Sequence, residues 1–216
     1  MVINDKPQHD PIADKLIVDA YMLWALQASE QIVGQGMDNL LRQSGLTRFI
    51  GNYPSNEVKR SDITFGEYAN LNAGLLNLFG PTGRSTTLRI GRLSAQLGIE
   101  QQDSFFNVTL STAAKLLPLP AQHRFGMEMM QAVYRQVIGQ GWDGWVSDRP
   151  QTTAYITMDC PVCAGKQARS PICWIFTGAL QEAVLWMTGK LFDVEQTQCR
   201  AMGARECVWE VSKNPV

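Results

Sequence analysis

Apolar side chains recur at helical spacing through the first two thirds of this chain and change to alternation in the last third. From 12 to 33, Ile12, Leu16, Ile17, Ala20, Leu23, Trp24 and Ile32 follow one side of a helix, which Gly34 and Gly36 end. A shorter helix is expected from Met37 to Leu46, followed by the polar, turn-rich stretch 52–62. Phe65, Tyr68, Leu71, Leu75, Leu76 and Phe79 then mark a third helix, closed by Gly80 and Pro81. Further helices are expected over 84–98, from Phe105 to Leu117 ahead of Pro118 and Pro120, and from His123 to Ile138.

Residues 141–149 and 152–160 alternate and are rich in β-branched and aromatic side chains, which predicts a hairpin turning at Asp148 to Pro150. A helix follows Pro171 and ends at Gly189; residues 190–199 and 206–212 read as two more strands. The C-terminal part is thus β-β-α-β-β, giving an α+β chain. No linker separates it from the helices. The expected organisation is a flexible tail over 1–11 and a single domain over 12–213.

Composition narrows the function classes. Nineteen basic and 20 acidic residues in 216 give a net charge of −1, with no basic footprint for nucleic acid. The polar N-terminus lacks the apolar core of a secretory signal, and no apolar run reaches the roughly 18 residues needed to span a bilayer. A cytoplasmic location is the expectation.

The stretch 80–87, Gly-Pro-Thr-Gly-Arg-Ser-Thr-Thr, has the content of a phosphate loop. It lacks the Gly-Lys-Ser/Thr order after a strand and reads as a turn between helices. His9 lies in the polar tail and His123 at a helix start, where capping explains it, so histidine chemistry has little material.

Cysteine is the informative residue type. Cys160, Cys163, Cys173, Cys199 and Cys207 fall within 48 positions, on two hairpins and the helix start between them. Cys160-Pro-Val-Cys163 has the spacing that lets two thiolates reach one tetrahedral ion. Cys199 and Cys207 flank a seven-residue turn, and Cys173 would sit where a helix dipole favours its thiolate. Ligation of a metal or cluster is the expectation, with thiol exchange as the competing use of a C-x-x-C pair and plain burial the bland one.

Cys173-Trp174 at a helix start and Cys199-Arg-Ala-Met-Gly-Ala-Arg-Glu-Cys207-Val-Trp209, with Gly141-Trp142-Asp-Gly-Trp145 before them, resemble the C-terminal half of the vinyl-4-reductase domain family. The resemblance runs over about 140–212. It implies helices packed on one face of a four-stranded antiparallel sheet, a metal-binding part over 141–212 and often a homodimer. In phenol-sensing members a zinc ion is held by three cysteines, matching Cys173, Cys199 and Cys207, and by a glutamate. The glutamate's place holds Gln196 here, with Glu195 on the opposite side of a strand. Cys160 or Cys163 would then complete an all-thiolate site, suited to zinc or an iron-sulfur cluster.

Other members of that family resemble accessory proteins of tetrapyrrole metabolism. The resemblance therefore implies a non-enzymatic protein that binds metal and a hydrophobic small molecule, such as a tetrapyrrole, with photosynthetic assembly proteins as partners. Trp142, Trp145 and Trp174 are the expected pocket walls, and Met127, Met129 and Met130 its floor or a dimer contact. Two alternatives stand beside it: a reductase or redox component with a cysteine-ligated iron-sulfur cluster, and a metal-free redox sensor cycling Cys160 and Cys163. No G-x-G-x-x-G follows a strand, so a nicotinamide or flavin would need another mode of binding.

Overall fold

A computed structural model describes residues 3–101, 113–139 and 142–216. Strand β1 (Ile3–Asp5) leads into a single 3-10 turn over Pro11–Asp14 and then helix α1 (Asp19–Val33). This differs from the expected helix over 12–33. The backbone between the turn and α1 is extended because Leu16 bridges Thr64, while the Ile17 and Asp19 amides donate to Ile63 and Lys59. The polar stretch after the second helix thus serves as a backbone partner for the approach to α1.

Helix α2 (Met37–Gln43) is followed by α3 (Phe65–Phe79), whose start is fixed by a capping box: Thr64 and Glu67 each bond the other's backbone amide. A turn at Gly80–Thr82 joins α3 to α4 (Gly83–Gln101), so the Gly-Pro-Thr-Gly-Arg stretch is a helix connection, as its residues predict. The helix expected from Phe105 to Leu117 lies mostly outside the described residues. Helix α5 spans Leu119–Ile138, starting four residues before the expected position because Pro118 and Pro120 favour a helix N-terminus. His123 is therefore inside the helix, buried against Phe192 with ring centroids 5.0 Å apart, and is not a cap.

Strands β2 (Gly144–Asp148) and β3 (Thr152–Thr157) form the expected hairpin. After β4 (Lys166–Ala168) come α6 (Trp174–Thr188), β5 (Phe192–Gln198) and β6 (Cys207–Pro215). The main sheet is antiparallel in the order β2-β3-β6-β5, and the class is α+β, as the pattern predicts. A small second sheet pairs β1 with β4, both only three residues long and too short to show a period. Residues of the expected tail are thus tied to the domain: Asp10 is buried, paired with Lys6 and Arg200, and accepts from the Gly165 amide.

One sheet face carries the helices. Tyr155 and Trp209, neighbours across β3 and β6, both pack edge-on or tilted against Phe176 of α6. The other face holds a small cluster of Ala154, Ile156 and Val208, with Trp145 exposed beside it. Helix α6 is fixed by its crossing with α4, where two glycines allow backbone contact. A Cβ on Gly91 would stand 1.9 Å from the Ile175 carbonyl oxygen, and one on Gly178 would stand 2.0 Å from that of Leu88. That crossing sets where α6 begins, and hence where Cys173 lies.

Candidate metal centre

The five cysteines arrive from four places in the fold. Cys160 follows β3 and precedes a one-turn 3-10 helix, Pro161–Cys163, so that Cys160 and Cys163 bracket a tight knuckle. Gly165, at φ +70°, then turns the chain into β4. Cys173 is the N-cap of α6, Cys199 ends the chain segment after β5, and Cys207 opens β6 opposite Thr157 of β3. All five are buried and none forms a disulfide.

Their sulfurs meet. Cys163 Sγ is 3.5 Å from Cys207 Sγ, and Cys173 Sγ is 3.7 Å from both Cys160 Sγ and Cys199 Sγ. The sulfurs of Cys160, Cys163, Cys173 and Cys207 all lie within 4.8 Å of one another. Four thiolates at about 2.3 Å from one ion in tetrahedral array stand ~3.8 Å apart, close to the spacing of the Cys160–Cys173 and Cys163–Cys207 pairs. Cys199 sits against one corner of that set.

Neighbouring thiols act on one another more than solvent does. Burial raises the Cys160 thiol, yet hydrogen bonds with Cys163, Cys173 and Cys207 hold it well below the ordinary range. Cys160 opposes ionisation of Cys163, but Cys173, Cys199 and Cys207 together favour it and bring its pKa to about 6. Burial pushes Cys173 and Cys207 well above the ordinary value. For Cys173 this reverses the effect expected of a helix start: loss of solvent outweighs the dipole. Two readily ionised thiols and two reluctant ones would give up protons to an entering cation.

The surrounding groups orient the sulfurs. Gln196, where the resemblance implies a glutamate ligand, accepts from the Cys173 amide at 3.1 Å and donates to the Gln198 carbonyl at 3.1 Å. Both ends of its carboxamide are thereby engaged. The Arg200 amide donates to Cys207 Sγ at 3.3 Å. Asn72, fully buried on α3, donates to the carbonyls of Val162 at 3.3 Å and Ile172 at 2.9 Å, tying the knuckle to the residue before Cys173. Asp159, beside Cys160, is anchored by Lys15 Nζ at 2.6 Å. Sequence reasoning misses Asn72; its signal is a carboxamide between Leu71 and Ala73 on an otherwise apolar helix side.

The three tryptophans do not share one pocket. Trp142 bonds Thr157 Oγ1 at 3.0 Å, Trp145 is exposed on β2, and Trp174 is covered by the Arg84 guanidinium 4.1 Å from its ring. Among the described residues a largely enclosed cavity lies elsewhere, between α1, α3, α4, α5 and α6, with Tyr21, Tyr68, Tyr134, Met130, Ile175 and Ala179 among its walls and a volume of about 30 Å³. Met130 therefore faces an internal space, whereas Trp142, Trp145 and Trp174 are not part of its lining. Burial raises the Tyr21 phenol to about 12 and lifts those of Tyr68 and Tyr134 well above the ordinary value, so all three are neutral hydroxyls.

The family model of the vinyl-4-reductase domain matches residues 154–213, a stretch that contains all five cysteines. No curated protein matches the chain. In structure, the Fe(II) unliganded H-NOX protein from K. algicida is similar at a TM-score of 0.57 and 13% identity, over 93% of this chain and 98% of that one. An H-NOX protein probed for heme distortion gives 0.58 and 16%, over 93% and 97%. An oxygen-binding H-NOX domain related to soluble guanylate cyclases gives 0.52 and 16%, over 90% and 93%. At such identities the likeness is one of fold.

Proposed function

With the vinyl-4-reductase domain match over residues 154–213 as the premise, we propose that the chain is a non-enzymatic small-molecule-binding protein built around one cysteine-ligated metal ion. Cys160, Cys163, Cys173 and Cys207 hold the ion, and zinc is the metal such an all-sulfur tetrahedral set suits. The observation that carries this reading is the sulfur spacing. Contacts of 3.5 and 3.7 Å match the edge of a tetrahedron about a single ion. A multi-iron cluster places metals and inorganic sulfide between its cysteines and would hold them further apart. This favours zinc over the iron-sulfur redox component, although a single iron has the same geometry.

The ion is a fold-holding centre in this reading. It would join β3, the knuckle, the start of α6 and the start of β6. Bound, it supplies the Lewis charge that keeps four buried thiols as thiolates, with no open position for substrate. Elemental analysis of protein purified under reducing conditions tests this. One zinc per chain is expected, and Cys163→Ser should lose it.

Heme is bound in H-NOX proteins, where its distortion has been probed. The described cavity between the helices does not fit it. The enclosed cavity of about 30 Å³ has room for about two water molecules. Among the described residues its lining contains no histidine: His9 is exposed beside Asp14, and His123 packs on Phe192. A role in tetrapyrrole handling, photosynthetic partners, a homodimer and a cytoplasmic location draw support from resemblance and sequence character alone. Among the described residues no helix is long and apolar enough to cross a membrane.

A further inference from the structure

The cavity between the helices contains a feature that packing does not explain. Tyr68 is fully buried in its wall, yet among the described residues no group stands within hydrogen-bond distance and geometry of its hydroxyl, the Tyr21 hydroxyl being its nearest electrostatic neighbour. Its ring stacks on Tyr21 at 4.9 Å, but the Tyr21 hydroxyl is already engaged with that of Tyr134 at 3.0 Å. A buried hydroxyl without a partner costs about 1–3 kcal/mol, a penalty that a bound acceptor would remove. Among the described residues the remaining walls are almost wholly apolar and carry no charged side chain, which excludes an ionic ligand.

Water fits this space poorly. A stable buried water needs two to four polar partners, and beside the Tyr68 hydroxyl and the closed tyrosine pair the walls offer only the Ser94 side chain. The volume sets the size: about 30 Å³ accommodates about two to four heavy atoms without rearrangement, and Met130 can move to admit slightly more.

We propose that this cavity is a binding site for a small uncharged molecule with an apolar body and one hydrogen-bond acceptor, of the ketone or aldehyde class, which takes the hydroxyl proton of Tyr68 in a hydrogen bond. The proposal rests on the small-molecule-binding reading and names the ligand class, and it separates this site from any large planar ligand.

The test uses the full chain with its zinc content measured in the same sample. The ¹³C-labelled methyl of Met130 is followed by NMR while acetone, and in a separate sample xenon, is added to wild type and Tyr68→Phe. Both probes should shift the Met130 methyl in wild type. Tyr68→Phe should weaken acetone about tenfold, the value of one hydrogen bond of roughly 1.4 kcal/mol. Xenon, which needs only the volume, should bind the variant as well as wild type. Acetone that leaves Met130 unshifted, or binds Tyr68→Phe as tightly as wild type, overturns the proposal. Zinc present without acetone binding removes this inference alone; acetone binding without zinc removes the metal reading alone.

Discussion

The carboxamide of Gln196 accepts the backbone N–H of Cys173 at 3.1 Å, so the residue standing where a ligating glutamate is implied orients a cysteine and leaves coordination to sulfur. Replacing Gln196 with Ala should keep one metal ion per chain and weaken its affinity about 10- to 100-fold, the usual effect of losing a group that holds a ligand in place. Competition with a chromogenic chelator measures this. Loss of stoichiometry, as for a true ligand, would mean that Gln196 itself coordinates.

Cys199 separates the four-sulfur set from its neighbours. Its sulfur is 3.7 Å from Cys173, but it lies outside the group whose sulfurs are mutually within 4.8 Å. Cys199→Ser should therefore retain zinc, whereas Cys163→Ser should lose it and several kcal/mol of stability, because metal binding here is folding free energy. Elemental analysis and thermal melts of the two variants decide between this set and the one implied by family resemblance, which includes Cys199.

Asn72 bonds two carbonyls that belong to different cysteine-bearing segments. Asn72→Leu takes this donor from the buried Val162 carbonyl, while the Ile172 carbonyl keeps the Trp174 amide at 2.8 Å, and should lower stability by about 1–2 kcal/mol in urea unfolding. A neutral result would show that the metal alone sets the arrangement.

Gly91 is the contact point of α4 with α6, where an added Cβ would meet the Ile175 carbonyl. Gly91→Ala should cost about 1–3 kcal/mol, since backbone and not a flexible side chain must give way. Because Ile175 lies two residues from Cys173, zinc affinity should fall with it.

His123 gives a pH dependence with a definite sign. Burial lowers its pKa below the ordinary 6.5, so the unfolded chain binds the proton more readily than the folded one. Its contribution to stability is complete above pH 6.5 and is lost as pH falls through the lower folded value. His123→Leu should flatten the fall in melting temperature below about pH 6.5; an unchanged slope would assign that fall to other groups.

The helix–strand order was legible because periodicity and glycine stops are local signals: Gly80 ends α3 and Gly189 ends α6 as their positions predict. The convergence of the cysteines was legible from hairpin geometry. What failed depended on distant partners. Leu16 to Val18 look helical but are drawn out by Ile63 and Thr64, and β1 takes form only against β4. The tryptophans carry no such signal, because a large ring fits a packed wall as well as a pocket; none of Trp142, Trp145 and Trp174 lines the cavity between the helices. The cavity is built instead from tyrosines on three helices, whose meeting no local pattern records.

X-ray absorption at the zinc edge of the purified protein tests the four-sulfur centre most directly. Four sulfur neighbours at about 2.3 Å around one zinc per chain are predicted, with no metal–metal distance. A shell containing nitrogen or oxygen, a second metal nearby, or protein that is folded and free of metal would contradict it.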